Sequence, residues 1–369
     1  MLYFYESFVF HVTNSVVIMQ ALLGVLFHFI GGFASGSFYI PYKKVKGWSW
    51  ESYWIAGGLF SWLVVPFIAA WWTVPGFMEI IRSTNNSILF RTYFLGVLWG
   101  IGGLTFGLSM RYLGMSLGMA VALGFCAAFG ALIPPVYRGL FTNDPNTLEA
   151  MFHTNKGLFV LLGVVVCLVG IAISGRAGML KERELSAEQQ TAGIKEFNLR
   201  KGLLVAIVSG ILSACMSFAI TAGGTMGKAA VANHVNPLFK NNVIFVVIML
   251  GGLTTNFIWC MILNTRNKSF TDYTNRKTPL AKNYLFAALA GTTWFLQFFF
   301  YGMGESKLGN DASSWILHMA FIILVSSMWG FVLKEWKGVS KKIVGAISLG
   351  IITIILSVIL VGYGNSLNN

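Results

Sequence analysis

Charge is scarce in this chain. Asp, Glu, Lys and Arg make up 11% of its 369 residues, and only 13 residues are acidic. Soluble domains carry roughly a quarter of their residues as charge, so a soluble globular fold is excluded. The four cysteines, Cys126, Cys167, Cys215 and Cys260, all lie in apolar runs without C-x-x-C spacing, which suggests neither a metal site nor a disulfide framework. They read as small packing residues. The motifs H-E-x-x-H and G-x-x-x-x-G-K-[ST] are absent, so the chain carries no ATPase engine of its own. No cluster of carboxylates, histidines or a nucleophile with its base supports a membrane enzyme, and no filter-like or charge-ring segment supports a channel. Nothing calls for a cofactor or a metal. Residues 1–18 contain no Lys or Arg but do contain Glu6, so they lack the basic start of a signal peptide. They read as an extracytoplasmic tail or a misassigned start ahead of Met19, where the hydrophobic pattern begins.

Apolar sequence, by contrast, is abundant: 56% of residues are hydrophobic, and mean hydropathy is +0.70. Crossing about 30 Å of hydrocarbon takes roughly 20 apolar residues as a helix. Ten stretches qualify, at 17–40, 51–72, 90–110, 115–136, 156–174, 202–222, 241–263, 283–303, 313–333 and 342–363. The expected fold is therefore an all-α integral membrane protein of ten spans. The polar connector 175–201 divides it into a first half, 19–174, and a second, 202–369.

The net charge is +13, but the basic residues fall in short clusters between apolar runs, which points to membrane topology and not to nucleic acid. When all Lys and Arg are allotted to the nearest loop, the loops after odd spans hold 19 and those after even spans 7. The positive-inside rule then places the connector in the cytoplasm and both termini outside it. With five spans per half, the halves enter from opposite sides, as an inverted repeat requires. A shift of 180 matches Ala34, Ser37, Phe38 and Ile40 with Ala214, Ser217, Phe218 and Ile220. A shift of 195 matches Gly96, Trp99, Gly107, Leu113 and Gly114 with Gly291, Trp294, Gly302, Leu308 and Gly309. A 5+5 inverted repeat is the expectation.

Several strings, among them "FHFIGGFASGSFYIPYKKVKGWSWE", "LWGIGGLTFGLSMRYLGMSLGMAVALG", "RAGMLKERE", "EFNLRKGL", "FLQFFFYGMG", "SWILHMAF" and "VLKEW", resemble the L-rhamnose/proton symporter family of the drug/metabolite transporter superfamily. The resemblance runs over about 19–363. It implies ten helices in a bacterial cytoplasmic (inner) membrane, and inward transport of L-rhamnose or a related deoxysugar driven by protons. Departures are Gly103 and Thr105, where the family pattern carries asparagines, and "GNDASS" before span 9. The alternative is a carrier or exporter of another small metabolite. The partners implied are the sugar, the proton and membrane lipids; oligomeric state is left open.

A proton symporter needs a group that titrates near neutrality, and histidine has a reference pKa near 6.5. His28 and His318 are the two histidines inside spans, and no Asp, Glu, Lys or Arg lies deep in any span. They are the candidate proton-coupling residues. Gly24, Gly31, Gly32, Ser35 and Tyr39 share the face of His28, so that face turns to protein or a cavity. A histidine bonded between helices for packing, or an interfacial histidine in the case of His318, is the competing reading. Asp311 and Glu305, beside span 9, read as solvated loop charges.

Sugars pair C–H patches with hydroxyls, which aromatic faces and polar tips bind together. Trp294, Gln297 and Tyr301 fall on one side of span 8 and are candidate sugar ligands, with Trp99 and Asn256 beside them; an aromatic packing stripe is the alternative. Ser35, Ser37, Cys215 and Ser217 read as close-packing residues. Lys43, Lys44 and Lys46 with Trp48 and Trp50 read as inner-surface anchors. A cytoplasmic gate using Lys43, Glu51 and Glu335 is the other use for these charges.

Overall fold

The computed structural model describes residues 2–113, 115–141, 147–184, 198–332 and 336–367. Among the described residues there are helices and no strands. In lipid this follows from the backbone, whose N–H and C=O groups must pair within the segment. The serine of Gly114-Met115-Ser116-Leu117-Gly118 has the G-x-S-x-G spacing of a hydrolase elbow. That elbow needs a strand entering the turn, and the described residues provide none.

Among the described residues, ten helical segments are long and apolar enough to cross a membrane. Spans 1 to 5 are Ser15–Tyr42, Trp50–Thr73, Asn86–Ser109, Val121–Leu140 and Asn155–Lys181. Spans 6 to 10 are Arg200–Ala232, Pro237–Asn267, Leu280–Leu308, Asp311–Val332 and Lys341–Ser366. Each overlies the run expected from sequence. The helix containing span 1 is continuous over Leu2–Ser37.

Span 1 shows how pattern becomes packing. Leu26, Phe29 and Phe33 are exposed on the outer surface, whereas His28, Gly31, Gly32 and Ala34 are buried. Small residues thus face protein and large ones face the surroundings. Span 2 contains a π-helical turn, Phe60–Val64, and span 4 carries Pro134 and Pro135 inside its helix.

Span 1 packs on spans 8 and 9, and span 6 on spans 3 and 4. Span 2 packs on span 8 and span 7 on span 3, while spans 5 and 10 pair with each other. Glycines set the closest crossings. A Cβ on Gly57 would stand 2.7 Å from the Ala287 carbonyl oxygen, and one on Gly291 would meet the Gly57 backbone. Where spans 7 and 3 cross, a Cβ on Gly251 would stand 2.7 Å from Val97 N, and one on Gly96 would meet the Ile248 backbone.

At the lysine-rich end, the loop after span 1 is tied to span 8 and to the segment between spans 7 and 8. Lys46 N donates to Asn283 Oδ1 at 3.0 Å, Asn283 Nδ2 donates to Lys46 O at 2.8 Å, and Ser49 N donates to Asp272 Oδ2 at 2.7 Å. Ser52 Oγ donates to Asp272 Oδ2 at 2.9 Å. This end is a continuous polar seam.

Candidate functional site

Spans 1, 8 and 9 bring His28, Tyr301 and His318 together. The imidazole centroids lie 6.2 Å apart, and the Tyr301 ring stands 5.4 Å from His28 and 5.2 Å from His318. His28 is 0% and His318 2% exposed, and neither ring has a hydrogen-bond partner at either nitrogen. Gly304 makes room for the first imidazole: a Cβ there would stand 2.6 Å from His28 Nε2. Trp315 closes the cluster 6.0 Å from Tyr301 and is itself anchored, donating from Nε1 to Cys126 O at 3.0 Å.

Toward the lysine-rich end lies a small aromatic recess. Phe38 and Tyr42 of span 1 form one wall, and Trp54, Gly58, Ser61 and Trp62 of span 2 another. Trp294 of span 8 stands at its inner limit. Aromatic contacts then lead onward: Trp62 to Trp294 at 5.7 Å, Trp294 to Phe298 at 5.2 Å, and Phe298 to His318 at 6.3 Å. Recess and histidine pair are therefore neighbours. The sequence argument missed Trp54, Trp62 and Phe298, although Pro66 close to Trp62 signalled an irregular turn.

The other expected ligands distribute around this axis. Trp99 lies 5.6 Å from Trp294 and 5.8 Å from Phe298, so the two repeat-matched tryptophans meet. Gln297 is buried and donates from Nε2 to Trp294 O at 2.9 Å, and its own carbonyl faces Gly31 of span 1. Asn256 acts one step back: its Oδ1 accepts from Trp54 Nε1 at 3.0 Å, while its Nδ2 donates to Gly252 O at 2.9 Å. Gly103 faces open space, and Thr105 donates to Ile101 O of its own helix at 2.9 Å; neither lines the recess. Ser37 accepts from Trp329 Nε1 at 2.8 Å, and Ser217 donates to Gly130 O at 2.8 Å, both as packing contacts.

Of the gating candidates, Lys43 is exposed. Glu51 is buried and accepts from Ser269 Oγ at 2.6 Å and Asn267 Nδ2 at 3.0 Å. Glu335 lies outside the described residues.

At the opposite end the reading of Asp311 and Glu305 as solvated loop charges is corrected. Asp311 forms an ion pair with Arg138 of span 4 and accepts from Thr221 Oγ1 of span 6 at 3.3 Å. Glu305 pairs with Lys240 Nζ at 3.1 Å and accepts from Asn241 Nδ2 at 2.9 Å. Arg138 and Glu305 are buried, because the loop charges fold inward onto partners from the other helices instead of into water. Sequence separations of 173 and 65 residues hid both pairs.

The arrangement offers stacking surfaces beside two buried imidazoles. Among the described residues no three His, Cys, Asp or Glu side chains converge as metal ligands. A family profile, that of the L-rhamnose-proton symport protein (RhaT), matches residues 16–367. The L-rhamnose-proton symporter of Klebsiella pneumoniae (strain 342) is 41% identical over 347 residues, which are 93% of this chain and 97% of the relative. That of Pectobacterium atrosepticum is also 41% identical, over 93% of this chain and 98% of its own. The L-rhamnose-proton symporter of Yersinia pestis (strain Pestoides F) is 40% identical over the same shares. With a profile match over nearly its whole length and relatives of this identity, the chain is a multi-pass membrane transporter that belongs to the L-rhamnose-proton symport protein family.

Proposed function

We propose that this protein couples the inward movement of a proton to uptake of L-rhamnose or a closely related deoxysugar, by alternating access. The observation that carries the reading is the adjacency of an aromatic recess to two buried, unpartnered imidazoles through Trp294 and Phe298. Stacking walls suit a sugar with a large apolar side, and a deoxysugar has one. Imidazoles at membrane depth suit a proton that must bind on one side and leave on the other. The relatives' names supply the sugar and the ion.

The positive-inside bias of the loops supports a cytoplasmic lysine-rich end and termini on the outer side. In that orientation the recess opens inward and the Arg138–Asp311 and Lys240–Glu305 pairs close the outer end. The two halves act as inverted repeats. Packing of spans 1 on 8 and 2 on 8 has its counterpart in spans 6 on 3 and 7 on 3, which supports this reading. The glycine crossing of Gly57 with Gly291 likewise has its counterpart in Gly251 with Gly96. Rocking of one bundle on the other around the midplane site is the motion such repeats permit.

Ligand-dependent thermal stability separates the substrates. A ligand at 100 times its Kd stabilises by about 2.7 kcal/mol, so purified protein should melt higher with saturating L-rhamnose and not with amphipathic cations. Stabilisation by cations alone would favour the exporter reading.

A further inference from the structure

Pro66 stands inside span 2, where it has no N–H to return to the preceding turn. The helix opens just before it. Residues Phe60–Val64 form a π-helical turn in which Val65 N donates to Phe60 O, five residues back. Such a turn adds one residue to the helix and re-aims the side chains it carries. Here Trp62 is re-aimed. Its ring lies over Gly58, where a Cβ would stand 2.7 Å from Trp62 Cε3, so only glycine leaves room for it.

Trp62 is 3% exposed, lines the recess, and its Nε1 is buried without a hydrogen-bond partner. Two of the neighbouring donors are already used: Trp54 Nε1 donates to Asn256 and Ser61 Oγ to Gly58 O at 3.3 Å. Buried polar groups in native structures are paired, and an exception calls for an explanation. A ligand oxygen in the recess provides one.

We propose that Trp62 determines sugar specificity: its indole N–H donates to one ring hydroxyl of the transported sugar while its face packs against the sugar's C–H side. The inference rests on the sugar-symport reading and adds to it the residue that recognises the sugar. Gly58 and the Phe60–Val64 turn are positioning elements that hold the ring in place. Because Trp62 touches Trp294 at 5.7 Å, the sugar would sit at the start of the aromatic contacts that end at His318.

The test compares wild type with Trp62→Phe, which keeps an aromatic face and deletes the N–H. Transport of L-rhamnose and of its 2-, 3- and 4-deoxy derivatives is measured in proteoliposomes, with Gly58→Ala as a second variant that displaces the ring. In wild type, one deoxy derivative should show a KM roughly ten-fold above that of L-rhamnose, as for the loss of one well-placed hydrogen bond. In Trp62→Phe the KM for L-rhamnose should rise by about that factor with Vmax nearly unchanged, and discrimination against that derivative should vanish. Gly58→Ala should raise KM for all four sugars. An unchanged KM in Trp62→Phe, or an equal rise for all four sugars, overturns the assignment of Trp62 while leaving sugar transport standing. If wild type itself neither transports nor is stabilised by any of the four, the sugar reading falls and the assignment with it.

Discussion

Neither imidazole of the His28 and His318 pair makes a hydrogen bond, and both are buried against Tyr301. A proton arriving there finds aromatic faces and a second imidazole, and no carboxylate of the described residues is bonded to either ring. On the proposed reading, the pair would exchange its proton without first breaking an internal ion pair. His28→Ala should abolish accumulation and leave exchange of sugar across the membrane, measured as gradient-driven uptake against counterflow; unchanged pH-dependent accumulation would remove His28 from coupling. Gly304→Ala tests the packing. Its added methyl would sit 2.6 Å from His28 Nε2, and overpacking of this kind costs about 1–3 kcal/mol, so the melting temperature should fall. An unaltered melting curve with wild-type transport would show that the ring has room to move. At this scale the sequence identified both histidines from depth alone. It could not join residues 28 and 318, because their contact is made by the packing of spans 1 and 9, which no local pattern encodes.

Helix ends and irregular turns carry the next layer. Span 4 meets span 9 through Arg138 and Asp311, and the start of span 7 meets span 8 through Lys240 and Glu305, so the opposite end is fastened at two points. Removing one member of a buried pair strands its partner, at a cost on the order of 3 kcal/mol, whereas removing both costs less. Asp311→Asn should thus lower the melting temperature more than the double variant Arg138→Met with Asp311→Asn. Equal losses would mean that the pair holds nothing closed. The ten spans themselves were legible, since a run of twenty apolar residues leaves the backbone no alternative to a helix. Their irregularities were half legible: Pro66 marks where span 2 must deviate, but not that the deviation is a π turn carrying Trp62 into the recess. Asp311 and Glu305 were misread because a loop charge next to a span looks solvated until its partner is placed.

Across the whole molecule, the proposed 5+5 arrangement is supported by two like crossings between the halves, Gly57 with Gly291 and Gly251 with Gly96. The sequence match at a shift of 195 pairs Gly96 with Gly291, one glycine from each of these crossings. Orientation rests on the basic loops. Cysteines introduced at Lys43 and at Lys228 should be labelled from opposite faces by an impermeant thiol reagent, Lys43 from the cytoplasm and Lys228 from outside. The reverse pattern would invert every statement about which end is the outer gate.

Whether one site joins sugar and proton is decided by uptake of labelled L-rhamnose into proteoliposomes under an imposed inward proton gradient. Wild type should accumulate the sugar above the external concentration, with collapse to equilibrium when an uncoupler is added, and His28→Ala should never exceed equilibrium. Uptake that stops at equilibrium in the wild type, gradient or not, would contradict the coupling.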